Sequence, residues 1–194
     1  RINKYYRRDS PILPPPIRFD RFTHREPDPD PYFVMIGRIV ESKRVDIVSE
    51  VFDQIEEAAL HVVGNGPLKE YCASMNGVTV HTEMSDTEVE ELVSRCVGGI
   101  AFAEWEHCGM TPKEFQAAGK PVIVPDEPNL CNHVDNGVTG VIVPVSPDGV
   151  KQGIQNVLGQ AWNVETIKSV AEEWSEPVFA EKAKHIVNSV VNDK

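Results

Sequence analysis

The sequence predicts an α/β domain built on a doubly wound parallel sheet of about six strands. Three observations carry this. Short runs such as Tyr32-Phe-Val-Met-Ile36, Leu60-His-Val-Val63 and Pro121-Val-Ile-Val124 are apolar with little alternation, as in strands covered on both faces. Segments of helical period separate them, the order that produces parallel strands with crossover helices. Glycines gather where the runs end, at Gly37, Gly64, Gly66, Gly99 and Gly109, which places a ligand site on the carboxyl edge of the sheet.

Residues 1–31 differ from the rest. Arg1 to Arg8 are basic and aromatic, and Pro14-Pro15-Pro16 and Glu26-Pro-Asp-Pro-Asp-Pro31 follow. Proline-rich chain of this kind is extended and semi-rigid. The first strand is Tyr32–Ile36. Val45, Val48, Val51, Phe52 and Ile55 then give one apolar face to a helix over 45–55, as a period of 3.6 requires. Residues 60–63 form the second strand, 68–75 a short helix and 78–80 the third strand. Ser85 and Glu88 make a capping box for a helix whose apolar face carries Val89, Leu92, Val93 and Cys96. The fourth strand covers 100–103. Thr111 at N-cap, Pro112 at N1 and Glu114 at N3 predict a helix over 112–118. Strands at 122–124 and 140–143 follow, and helices over 150–158, near 163–174 and over 178–191 end the chain. The expected division is a connecting segment at 1–31, the sheet domain at 32–160 and terminal helices at 161–194.

The 194 residues suit one domain, and 41% hydrophobic content supports a sizeable core. Lys and Arg number 19 against 30 Asp and Glu, a net charge of −11, which disfavours nucleic acid and anionic membranes as general partners. Cys72, Cys96, Cys108 and Cys131 show no paired spacing, so a reducing compartment is expected rather than a disulfide framework. His107-Cys108 and Cys131-Asn-His133 form only a weak zinc pattern, and no metal site is expected. No apolar run approaches a membrane span and no signal peptide is present. The first residue is not Met, and the expectation is a piece of a longer protein.

Two segments carry chemistry. Gly37-Arg-Ile-Val-Glu-Ser-Lys43 follows the first strand. Gly37 permits close backbone approach, while Arg38 and Lys43 offer a fork and a point charge to phosphate oxygens. Either these two cations clamp a diphosphate, or they are surface residues paired with Glu41 and Asp46. Glu106-His-Cys-Gly-Met-Thr-Pro-Lys-Glu114 places two carboxylates eight residues apart around a helix start. The helix start suits an anion and the carboxylates suit a polyol, so the pair fits a phosphorylated sugar or a nucleotide-sugar. Glu114 has two open readings, helix cap and ligand contact. Val63-Gly-Asn-Gly-Pro67 is a glycine turn of weak functional content, and no dinucleotide fingerprint, phosphate loop of the G-x-x-x-x-G-K type or nucleophile elbow occurs.

Taken in order, these segments resemble the C-terminal half of a GT-B fold glycosyltransferase, specifically the large retaining family 4, with a Rossmann-like sheet. The resemblance covers residues from about Ile12 to Gly140. Ile12-Leu-Pro-Pro-Pro16 with Asp20-Arg-Phe22 looks like the hinge strand between the halves. The Gly37–Lys43 turn looks like the diphosphate-binding turn and Val63–Glu70 like the second glycine loop. Glu106 to Glu114 matches the E-x7-E signature, and Asn136-Gly-Val-Thr-Gly-Val-Ile-Val143 the following turn and strand.

The resemblance implies roles. Arg38 and Lys43 would hold the nucleotide diphosphate and stabilise the leaving group, with Gly37 and Gly64 in the adjoining turns. Glu106 would contact donor-sugar hydroxyls and Glu114 the ribose. Backbone N–H groups around Gly109, Met110 and Thr111 would cap the phosphates. Glu106, Arg38 and Lys43 are thus the implied catalytic residues, with no metal and no cofactor beyond a UDP-sugar or GDP-sugar donor. The acceptor, a glycan or glycolipid, would be held by an N-terminal half carrying the family's catalytic histidine, so these 194 residues alone would bind nucleotide without transferring sugar. The whole enzyme would be cytoplasmic, with peripheral association at the membrane face. Departures fall at His107-Cys-Gly-Met110, where Pro-Phe-Gly-Leu is usual, at Pro128-Asn129 and Asn132, and at Thr82; they touch the sugar and base contacts. A nucleotide-sugar epimerase or phosphorylase of the same fold, or a non-catalytic binding module, are the competing readings.

Overall fold

The computed structural model describes residues 2–7 and 9–192. Arg1 and Arg8 of the basic start, and Asp193 and Lys194 of the terminal helices, lie outside the described residues. Six strands form one parallel sheet: β1 (Tyr32–Ile36), β2 (Ala59–Val63), β3 (Val78–His81), β4 (Gly98–Ile100), β5 (Val122–Pro125) and β6 (Gly140–Val143). Their spatial order is β3-β2-β1-β4-β5-β6. The order reverses between β1 and β4, and in doubly wound sheets the ligand crevice opens at such a switch point. This is the fold class expected from the sequence.

Among the described residues eight α-helices accompany the sheet: α1 (Ile2–Tyr6), α2 (Val45–Phe52), α3 (Lys69–Ala73), α4 (Asp86–Arg95), α5 (Met110–Ala117), α6 (Pro147–Leu158), α7 (Val164–Glu172) and α8 (Glu176–Asn192). Two cores result, one per face. Phe33, Leu60, Ile100 and Ile123 point toward Val48, Phe52, Val150 and Ile154 on one side. Tyr32, Val34, Val122 and Val124 meet Val93, Phe115 and Ala171 on the other. Because neighbouring residues of one strand serve opposite cores, the strands read as continuous apolar runs.

Where the structure differs from expectation, local geometry explains it. The capping box on α4 is present, with the Glu88 N–H donating to Ser85 Oγ at 3.3 Å and the Ser85 N–H to Glu88 Oε2 at 2.7 Å. The box proposed for α5 is not. Its N-cap is Gly109, at φ +62° in the left-handed region, and the helix begins at Met110. Thr111 is therefore the second helical residue, Pro112 the third, and Glu114 lies beyond the first turn. Glycine adopts that φ without the penalty a β-carbon brings, so the chain turns two residues before Thr111. Strand β4 stops at Ile100 rather than Ala103, although Ala101 still donates to the Ile123 carbonyl at 3.0 Å. Helix α2 ends at Phe52, short of Ile55, where Asp53 instead receives the Asn76 backbone N–H at 2.7 Å.

The expected hinge strand at 12–16 does not form. Three consecutive prolines have no N–H to donate to a ladder. A single parallel bridge joins Ile17 to Ser175, and Ile17 and Phe22 are buried in the second core. Among the described residues no helix is long and apolar enough to cross a membrane.

Candidate functional site

The site assembles from loops at the carboxyl edge of the sheet. The turn after β1 and the turn after β2 are fastened together. The Gly37 N–H donates to the Val63 carbonyl and the Ile39 N–H to the Asn65 carbonyl, each at 2.9 Å. Gly64 sits at φ +150°, and a β-carbon there would lie 1.8 Å from the Gly37 carbonyl oxygen. Glycine at 64 is thus demanded by packing between two turns. That contact fixes the path of the residues carrying Arg38 and Lys43.

Beyond Gly37 the chain makes a 3-10 turn at Glu41–Lys43 and enters α2 through Arg44, at φ +50°. Arg38 is exposed and its side chain has no partner among the described residues. Lys43 is three-quarters buried and forms an ion pair with Glu106 Oε2. The alternative reading, in which these cations pair with Glu41 and Asp46, does not hold, since Lys43 pairs with Glu106. The Glu106 carboxylate stands below its ordinary pKa, chiefly through the Lys43 hydrogen bond, with burial opposing. Its other oxygen accepts from the His107 N–H at 3.2 Å. The first two groups the sequence singles out therefore meet across the switch point between β1 and β4.

The segment carrying Glu106 is held on both sides. The Glu104 N–H donates to the Ser42 carbonyl at 2.7 Å, and the Asn129 amide donates to the Glu106 carbonyl at 2.6 Å. Behind it, His133 Nε2 donates to the Cys108 carbonyl. His133 is buried and its pKa is lowered, first by desolvation, which disfavours the charged imidazolium. The His133 contact to the Cys108 carbonyl braces the loop, and among the described residues no group of three or more His, Cys, Asp or Glu side chains is arranged to hold a metal.

Gly109 starts α5, and the Met110 and Thr111 N–H groups lie in its first turn, where helices leave donors unpaired; Pro112 supplies none. Glu114 is partly buried on α5. Its pKa is raised by burial, which Arg21 and then Arg18 partly offset. The two carboxylates thus answer to different cations, one set on the turn after β1 and one on the segment before the sheet.

Several contributors were invisible to sequence reasoning. Arg44 and Glu127 reach the site only through tertiary contact; Asn129, one of the departures noted in the sequence, holds the Glu106 carbonyl. Under α5, Lys113 is 3% exposed and donates to Gln116 Oε1 at 2.8 Å and the His133 carbonyl at 3.0 Å. Burial pushes its pKa down to about 8. A cavity of about 370 Å³ at the opposite, amino edge of the sheet, lined by His24, Lys120 and Trp162 among others, includes none of the predicted site residues.

The sequence between residues 16 and 174 matches the family described as "Glycosyl transferases group 1". No curated protein matches the chain. Among solved structures, it is similar to the apo form of the lipopolysaccharide outer core galactosyltransferase WaaB, with TM-score 0.75 and 17% identity over 92% of this chain and 55% of that one. It is equally similar to sucrose-phosphate synthase from Thermosynechococcus elongatus, with TM-score 0.75 and 17% identity over 94% of this chain and 53% of the other. A third is Anabaena HepE in complex with UDP and glucose, with TM-score 0.72 and 14% identity over 90% and 55%. At such identities the likeness establishes the fold. The chain spans just over half the length of each.

Proposed function

The chain belongs to the glycosyl transferases group 1 family, and on that premise we propose that it is the donor-binding half of a retaining glycosyltransferase. It takes a sugar from a nucleoside diphosphate sugar, without a metal, for a glycan or lipid-linked acceptor. The observation that carries this reading is the meeting of the Lys43 turn, the Glu106 segment and the start of α5 at the switch point of the sheet.

The roles follow from charge and geometry. Arg38, exposed and unpaired, and Lys43 receive the diphosphate and stabilise the charge that develops as the leaving group departs. The first N–H groups of α5 add donors to the same phosphates. Glu106 accepts hydrogen bonds from donor-sugar hydroxyls. Glu114 does the same for the ribose, and a partly buried carboxylate with several acceptor sites suits that task. The HepE complex, which holds UDP and glucose, supports this class of ligand. The acceptor and the remaining catalytic group belong to a second half, so the 194-residue chain binds nucleotide and transfers nothing. The proposed compartment is the cytoplasm, at the membrane face for a lipid-linked acceptor.

Calorimetry with UDP and GDP tests the reading. Binding is expected in the millimolar range or tighter, and Arg38→Ala with Lys43→Ala should abolish it. An unchanged isotherm in the double variant would remove the clamp from the mechanism. Absence of binding by the wild-type chain would favour a non-catalytic module.

A further inference from the structure

We propose that Arg44 is a positioning residue for the diphosphate site, gripping the loops after β4 and β5 so that the start of α5 stays beside the turn that carries Arg38 and Lys43. The inference rests on the donor-site reading above and extends it to a residue that touches no substrate.

Four observations place Arg44 in this role. First, its backbone is at φ +50°, a region that residues other than glycine rarely adopt. The conformation is tolerated where the surroundings over-determine it. Second, the guanidinium is only 11% exposed and its Nη2 lies 2.6 Å from Glu127 Oε1 and 4.0 Å from Glu104 Oε1. One side chain on the turn after β1 thereby reaches both neighbouring loops. Third, its Nη1 is enclosed without a hydrogen-bond partner. A buried charged group with an unused donor is a destabilising arrangement, poorly suited to a contact that serves stability alone. Fourth, two further bonds tie the same loops near the ion pair. Ser42 holds Glu104 through the backbone at 2.7 Å, and Asn129, two residues from Glu127, holds the Glu106 carbonyl at 2.6 Å.

Removing the guanidinium takes away the one ion pair that reaches the loop after β5 among the described residues, a charged tie being stronger than a neutral hydrogen bond. The α5 start then loses its fixed distance from Lys43 and Arg38. A diphosphate needs both sides at once, so its affinity falls even though every phosphate-contacting group remains.

Arg44→Gly tests this without threatening the fold, because glycine relieves the left-handed backbone. Two measurements are made on the 194-residue chain: calorimetry with UDP and GDP, and amide hydrogen exchange across residues 104–109 and 126–133. Nucleotide affinity is expected to fall by roughly tenfold with the melting temperature unchanged or higher. Exchange in the two segments should quicken by a similar factor while β1 and β2 keep their protection. Glu127→Gln should weaken binding in the same direction, and the double variant should be no worse than Arg44→Gly, as expected for partners in one contact. Wild-type exchange rates in Arg44→Gly, or unaltered nucleotide affinity, would overturn the role of Arg44. Failure of the wild-type chain to bind either nucleotide would instead overturn the donor-site reading, while the exchange data still decide whether Arg44 holds the loops.

Discussion

Replacing Glu106 by glutamine should tighten nucleotide binding, although Glu106 belongs to the proposed site. Glu106 and Lys43 neutralise each other in the unliganded chain. A diphosphate that recruits Lys43 must first take it from Glu106, so the free energy of the pair subtracts from that of binding. A hydrogen bond between charged groups contributes about 1.5–3 kcal/mol. Each side chain is about one-quarter exposed, and solvent screening lowers the figure to about 1–2 kcal/mol. At about 1.4 kcal/mol per tenfold, Glu106→Gln should therefore bind UDP or GDP about 5- to 30-fold more tightly than wild type. Glutamine keeps the shape and the acceptor for the His107 N–H, so the loop itself should not move. Titration calorimetry of both proteins with the same nucleotide measures the difference, and the gain should shrink as salt is raised. Weaker binding by Glu106→Gln would refute the reasoning, because it would mean that Glu106 holds Lys43 in its binding pose rather than withholding it.

Two further outcomes follow from the same geometry. Gly64→Ala should destabilise the chain by about 3 kcal/mol or more, since the new β-carbon would lie 1.8 Å from the Gly37 carbonyl oxygen and the two turns must part; urea unfolding measures this, and a loss below about 1 kcal/mol would show that the turns slide freely. The second concerns His61, whose Nδ1 lies 2.8 Å from His81 Nε2 across β2 and β3. Its pKa is lowered, first by burial and then by His81, so the unfolded chain binds the proton more readily than the folded one. That contribution to stability is complete above the ordinary value of 6.5 and is lost as pH falls below it. His61→Phe should abolish this part of the acid sensitivity, and an identical pH profile of unfolding in the variant would rule His61 out as its source.

Much of the fold was legible because its physics is local. Parallel strands buried on both faces must be apolar at consecutive positions, so Tyr32–Ile36 and Val122–Pro125 announced themselves. The Ser85–Glu88 box is a four-residue event and was read correctly. The similar pattern at Thr111 misled, since a glycine two residues earlier turned the chain first. The capping reading of Glu114 fell with it. Segment 12–22 read as a connection, yet Ile17 and Phe22 enter the core, because proline-rich chain carries no periodicity by which burial can be recognised.

The site divides along the same line. Sequence alone determined the charged turn after β1, the paired carboxylates around a helix start and the edge of the sheet on which both sit. Spacing along the chain sets each of these. Only the tertiary structure decided that Lys43 would meet Glu106 rather than Glu41 or Asp46, that Glu114 would look toward Arg21 and Arg18, and that Arg44 would grip Glu127 from 83 residues away. Ion pairing depends on separation in space and on exclusion of water. Both are set by the order in which strands lie side by side, β1 against β4, and not by their order along the chain.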